Sequence, residues 1–192
     1  MTPHPQTANA LTLLRVALVP AFVVEYLVRE PVLAGALAIF VVAATTDLVD
    51  GWVARRFDQT SAFGAFLDPV ADKLMVVAAL MLVCRTHPAT LTVVASMIVI
   101  LREIYVSALR EWMAGLAARE RVAVGAVGKW KTATQMLAIV LLLAGLEAGR
   151  PVLVRTGDAA LAAAALLSLI SCWQYSRAAL VARRGVRARV HR

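Results

Sequence analysis

Apolar residues run through this chain in six long stretches, separated by short breaks marked by charge, proline or glycine. The first covers about residues 11–28 and stops before Arg29-Glu30-Pro31; the second covers about 32–52 and continues into Arg55-Arg56. The third begins near Ala62 and stops before Arg85-Thr86-His87-Pro88, and the fourth covers about 91–113. The fifth starts near Gly128 and ends at Gly149-Arg150-Pro151; the sixth covers about 159–179. Each is close to the roughly 20 residues an α-helix needs to cross a bilayer. The pattern predicts an all-α, polytopic membrane protein of six transmembrane helices, with residues 1–182 as a single domain and 183–192 as a basic tail. Residues 1–10 carry no basic stretch and no small-residue cleavage site closes the run that follows, so that run is expected to stay as a span. These ten residues are also a candidate for a short interfacial segment, although their low charge makes it a weak one.

Composition sharpens this picture. Of 192 residues 61% are hydrophobic, with a mean hydropathy of +0.76, whereas a soluble domain is nearer about half apolar. The net charge is +8. In a membrane protein that excess sits in loops on one side and attracts anionic headgroups. Nucleic acid is a poor partner, because the Lys and Arg residues form no continuous solvated face. Arg55, Arg56, Arg119, Arg121, Lys129, Lys131 and the C-terminal arginines fall on one side of the predicted spans; Arg29, Arg85, Arg150 and Arg155 fall on the other. The larger set marks the cytoplasmic side. Both termini are then expected to face the cytoplasm from the inner membrane. Cys84 and Cys172 stand alone in apolar surroundings and read as small hydrophobes rather than a disulfide.

Four carboxylates change the picture most. Asp47 and Asp50 lie at the end of the second run; Asp68 and Asp72 lie near the start of the third. An ionisable group at membrane depth is costly and reads as functional by default. Spacings of three and four put each pair on one helix face, and the short link makes the two helices antiparallel neighbours. Four acids of one sign need positive charge between them. Oxygen ligands without His or Cys suit Mg²⁺, Mn²⁺ or Ca²⁺ rather than zinc, and two such ions about 4 Å apart commonly clamp a phosphate or pyrophosphate. Gly51, Ala54 and Gly64 permit close approach of helices or of a flat ligand. Arg55, near Asp50, carries a guanidinium suited to phosphate. Small-residue spacing alone usually means packing, and a lone arginine at a span end usually snorkels; the four acids are what neither explains.

The full string is Asp47-Leu-Val-Asp50-Gly51-Trp-Val-Ala54-Arg55, eight residues, then Gly64-Ala-Phe-Leu-Asp68-Pro-Val-Ala-Asp72. It resembles the signature of the CDP-alcohol phosphotransferase family at every fixed position. The segments from Asn9 to Arg15, Arg102 to Ala114 and Gly128 to Met136 are similar to one branch, the bacterial phosphatidylglycerophosphate synthases. The resemblance covers about residues 8–140. It implies six transmembrane helices, a homodimer, and two divalent cations, Mg²⁺ or Mn²⁺, held by Asp47, Asp50, Asp68 and Asp72. It implies transfer of a phosphatidyl group from CDP-diacylglycerol to sn-glycerol 3-phosphate with release of CMP. Asp72 would be the general base, a role the residues themselves leave open between Asp68 and Asp72. Asp47, Asp50, Gly51, Ala54, Arg55 and Gly64 would bind the cytidine diphosphate donor.

A dianionic acceptor asks for a basic site. Arg102 and Arg110 in the fourth run, and Lys129 and Lys131 opening the fifth, are the candidates. Each also has the simpler reading of snorkelling to lipid phosphate, and Glu103 and Glu111 are available to pair with the arginines. Two alternatives stay open: the same fold with another acceptor (phosphatidylglycerol, inositol phosphate or serine), and a divalent-cation transporter, which leaves Gly51, Ala54, Arg55 and Gly64 without a role.

Overall fold

A computed structural model of the chain describes residues 5–28, 34–57, 62–115 and 126–190. Within them, side chains are not described at 5–13, 15, 47–57, 62–69, 72, 114–115, 126–127, 129 and 182–190. The described residues form six helices: α1 Pro5–Val28, α2 Ala34–Phe57, α3 Ala62–Thr86, α4 Thr90–Gly115, α5 Ala126–Glu147 and α6 Pro151–Val190. One helix covers each apolar run, as the pattern predicts. Two departures concern ends. α1 already starts at Pro5, so residues 5–10 are its first turns, and α6 starts at Pro151 and continues through the basic segment to Val190. Polarity ends the apolar stretch of a helix without ending its hydrogen bonding, so hydropathy marks the span and not the helix.

Among the described residues, Thr90–Met113 and Pro151–Val181 are long and apolar enough to cross a membrane, and Val16–Val28 and Ala34–Thr46 are shorter apolar helices. Contacts group the chain into two compact units, residues 1–88 with 139–157, and residues 89–138 with 158–192.

The first unit is centred on α1, which packs along both α2 and α3. Each helix contributes a stripe of buried residues at three- and four-residue intervals, the mark of a single inward face: Phe22 and Tyr26 on α1, Ala36, Phe40 and Ala43 on α2, and Ala71, Met75, Ala79 and Val83 on α3. The ring of Phe22 lies 6.0 Å from that of Tyr26 and 6.2 Å from that of Phe40. Tyr26 donates its hydroxyl to the Leu82 carbonyl at 2.9 Å, and its oxygen lies 2.7 Å from Thr86 Oγ1. A buried phenol needs such a partner, and this one ties the C-terminal ends of α1 and α3, so these helices run parallel.

The α5–α6 turn in the same unit is built on glycine. Gly149 has φ 56°, Arg150 N–H donates to Gly145 O at 2.9 Å and Gly149 N–H to Leu146 O at 3.3 Å. This paired bonding closes the end of α5 with a residue in the left-handed region, and Pro151 then opens α6, where its missing N–H costs nothing. The two helices touch backbone to backbone. A Cβ on Gly145 would lie 2.8 Å from Val154 N, and one on Gly157 would lie 2.7 Å from Leu142 Cγ and 3.0 Å from Leu142 N.

The second unit holds α4, the first half of α5 and most of α6. Thr92 donates to Asp158 Oδ1 at 2.5 Å, Arg102 Nη2 to Ser171 Oγ at 2.7 Å, and Tyr105 and Ser176 hydroxyls lie 3.1 Å apart. These contacts advance together along both helices, so α4 and α6 run parallel along a polar seam. In lipid, where apolar side chains gain nothing by leaving the solvent, such bonds and close small-residue contacts hold helices together. Cys84 and Cys172 are half-buried thiols that form no disulfide.

Replacing Gly145 with alanine is expected to cost about 1–3 kcal/mol, because the new methyl meets backbone that cannot move aside. Gly149→Ala is expected to cost about 1–2 kcal/mol through its φ alone, since nothing lies within 4 Å of its Cβ position. Thermal unfolding of the purified protein in detergent should place both variants below the parent; an unchanged midpoint for Gly145→Ala would mean that the helices do not meet there.

Candidate active site

The four acids lie on elements that the first unit packs together. The side chains of Asp47, Asp50, Asp68 and Asp72, and of Gly51, Ala54, Arg55 and Gly64, are outside the described residues, but the backbone at all eight positions is helical. Helical register then fixes which stripe each position continues. On α2 the buried positions 36, 40 and 43 are followed at the same three- and four-residue steps by 47, 50 and 54. On α3 positions 64, 68 and 72 lead into buried Met75 and Ala79 by the same steps. The acids thus occupy register positions on the two packing stripes, at the end of α2 and the start of α3, which a link of residues 58–61 joins. A donor set of hard carboxylate oxygens at that junction fits a divalent cation such as Mg²⁺ or Mn²⁺.

The second unit carries a buried charged cluster on α4, α5 and α6. Arg102 is only 9% exposed and Lys131 3%. Arg102 Nη1 donates to Glu103 Oε1 at 3.3 Å, and Lys131 Nζ pairs with the same oxygen. The Arg102 guanidinium lies 5.8 Å from the centre of the Tyr175 ring, within the range of a cation–π contact. Its Nε has no hydrogen-bond partner among the described residues, nor has the side-chain oxygen of buried Gln135. Two cations therefore share one carboxylate in a setting where charge is costly.

Of the four acceptor candidates, the structure brings Arg102 and Lys131 together. Arg110 is exposed, and the Lys129 side chain is outside the described residues. Eight residues turn an α-helix by about 80° past two full turns, which carries Arg110 off the face that buries Arg102. Sequence reasoning allowed Glu103 to pair with the arginines but did not assign it to Lys131. It also missed Ser171, Tyr175 and Gln135. Buried polar residues spaced along spans were the available signal: Ser171 and Tyr175 are four apart on α6, and Lys131 and Gln135 are four apart on α5.

A carboxylate motif on α2 and α3 within a six-helix membrane fold defines a class, and comparison with known proteins gives the class its name. The chain belongs to the CDP-alcohol phosphatidyltransferase family, which it matches over residues 5–176. It is 48% identical over 174 residues to a CDP-diacylglycerol–glycerol-3-phosphate 3-phosphatidyltransferase of Pectobacterium atrosepticum, covering 88% of this chain and 92% of that one. The protein of the same description from Escherichia coli (strain K12) is 48% identical over 173 residues, again 88% and 92% of the two chains. A CMP-forming cardiolipin synthase of Oryza sativa subsp. japonica is 45% identical over 184 residues, 88% of this chain and 56% of its own.

Removing the shared carboxylate tests the cluster. Glu103→Gln removes the carboxylate that two buried cations share and is expected to destabilise by about 3–5 kcal/mol, whereas Ser171→Ala, which removes one hydrogen bond to a charged group, should cost about 1.5–3 kcal/mol. Thermal unfolding in detergent orders the two; a milder effect for Glu103→Gln would mean that Glu103 does not neutralise Lys131 and Arg102.

Proposed function

We propose that the chain transfers a phosphatidyl group from CDP-diacylglycerol to sn-glycerol 3-phosphate, giving phosphatidylglycerophosphate and CMP. The observation that carries this reading is the 48% identity, over 88% of the chain, to relatives described as performing that transfer. The acceptor's hydroxyl oxygen forms a bond to the donor phosphorus that bears the diacylglycerol; the bond from that phosphorus to the CMP oxygen breaks, and the hydroxyl proton passes to a carboxylate.

Asp47, Asp50, Asp68 and Asp72 are the residues that would hold two divalent cations, Mg²⁺ or Mn²⁺. When bound, the cations neutralise the charge of the pyrophosphate under attack. Asp72 is the general base, for which it must lie within hydrogen-bond reach of the acceptor hydroxyl. Gly51, Ala54 and Gly64 leave room for the cytidine diphosphate, and Arg55 holds one of its phosphates. The acceptor's phosphate is gripped by Arg102 and Lys131, with Arg110 and Lys129 drawing it in from the aqueous side. The catalytic domain is residues 1–182 with its six helices, followed by the basic segment 183–192, and the protein works as a homodimer. It sits in the inner membrane with termini and active site facing the cytoplasm, as the Lys and Arg distribution supports.

The rival acceptor is phosphatidylglycerol, in view of the 45% identity to a cardiolipin synthase. The two buried cations of the Arg102–Glu103–Lys131 cluster favour glycerol 3-phosphate, since a phosphate monoester is dianionic near neutral pH and a lipid phosphodiester carries one charge. Cation transport accounts for the acids alone and for neither the glycines nor the family.

Purified protein supplied with CDP-diacylglycerol and Mg²⁺ or Mn²⁺ is expected to release CMP when offered glycerol 3-phosphate, and not with phosphatidylglycerol, inositol phosphate or serine. Release with one of the others would move the acceptor within the family. Asp72→Asn is expected to abolish turnover while retaining donor binding; turnover near the parent's would remove Asp72 as the base. Lys131→Gln should raise the KM for glycerol 3-phosphate more than that for the lipid donor, whereas equal changes would make Lys131 a structural residue.

A further inference from the structure

Gln135 has no role in the transfer as described so far, yet its surroundings ask for one. Its side chain is 2% exposed, and its amide oxygen has no hydrogen-bond partner among the described residues. Buried polar atoms are nearly always paired, and those that are not mark a ligand, a water or stored strain. Among the described residues of α5 the buried side chains are Lys131, Gln135, Ala138, Ile139, Leu142 and Leu143. Lys131 and Gln135 are therefore the polar members of that set, and those after them are apolar. Four residues separate the two, one helical turn, a rise of about 6 Å.

We infer that Gln135 reads the secondary hydroxyl of the acceptor, the one that does not react. This rests on glycerol 3-phosphate being the acceptor and on its phosphate lying at Lys131 and Arg102. A phosphate at Lys131 leaves the rest of a small ligand to lie one turn along α5, where Gln135 presents its buried, unpartnered amide oxygen. In sn-glycerol 3-phosphate the secondary hydroxyl is on the carbon next to the phosphate-bearing one, so a ligand anchored by its phosphate brings that hydroxyl beside the grip rather than far from it. The hydroxyl donates to the amide oxygen and completes its bonding. The primary hydroxyl, one carbon further on, stays free to react. A site built in this way discriminates against a ligand that lacks the hydroxyl, because binding such a ligand leaves the buried amide unpaired in a place water no longer reaches. Gln135 is then a specificity residue: it selects a polyol phosphate over a simple alcohol phosphate.

The test pairs an acceptor lacking the group with an enzyme lacking its partner. CMP release from CDP-diacylglycerol is measured with sn-glycerol 3-phosphate and with 3-hydroxypropyl phosphate, which keeps the phosphate and the primary hydroxyl but not the secondary one. Both are offered to the parent enzyme and to Gln135→Met, which keeps the side-chain length without the amide. The parent is expected to lose roughly ten- to hundredfold in kcat/KM when the hydroxyl is removed. Gln135→Met should lose a similar factor on glycerol 3-phosphate and use the two acceptors within about threefold of each other. Unchanged discrimination in Gln135→Met overturns the assignment. So does a parent enzyme that does not discriminate, a measurement that stands even if Gln135→Met does not fold. A parent that uses neither phosphate but releases CMP with a different acceptor overturns the choice of substrate as well, and that result is distinct from both.

Discussion

Charge placed at membrane depth is the constraint around which this structure is arranged. Each carboxylate, guanidinium or ammonium in the middle of a span costs about 2.5–3.5 kcal/mol or more unless something compensates it. The two units meet that cost in different ways. In the first, four acidic positions continue the packing stripes of α2 and α3. In the second, Arg102 and Lys131 share Glu103. On the function proposed, divalent ions with the donor pyrophosphate bind at the first, and the acceptor phosphate binds at the second.

The remainder of the fold holds these charges in register. Van der Waals contact and hydrogen bonds replace the hydrophobic effect as the force between helices in lipid. The Gly145 and Gly157 contacts bring α5 and α6 together at backbone distance, and the Thr92–Asp158, Arg102–Ser171 and Tyr105–Ser176 bonds pin α4 to α6 over most of their shared length. Arg102 belongs to that seam as much as to the cluster. Its burial is sustained by a hydroxyl, an aromatic face and a carboxylate together, so a change at Ser171 or Tyr175 reaches the charged site without touching a ligand.

Much of this was legible in the sequence. The six helices followed from apolar run length, because the bilayer sets that length. The acid motif stands out in the sequence because carboxylates at helical spacing have no cheap structural role in a span; its side chains lie outside the described residues. Two things were harder to read. Helix ends were one: α6 keeps its hydrogen bonding into the arginine-rich segment, and hydropathy does not register backbone bonding. The other was the choice among basic residues. Arg102 and Arg110 look alike in one dimension, and the eight residues between them carry Arg110 to an exposed face. Ser171 and Tyr175 are ordinary residues that gain meaning only from Arg102, 69 and 73 positions away, and Gln135 gains its meaning from its burial one turn after Lys131.

The central claim is that the acceptor's hydroxyl oxygen attacks the lipid-bearing phosphorus of the donor. It is tested most directly by following that oxygen. Glycerol 3-phosphate carrying a heavy-oxygen label in its primary hydroxyl is incubated with the purified protein, CDP-diacylglycerol and Mg²⁺, and lipid and nucleotide products are weighed by mass spectrometry. The account requires phosphatidylglycerophosphate that retains the full label, with unlabelled CMP. Phosphatidic acid in its place, or label lost from the lipid product, would contradict it.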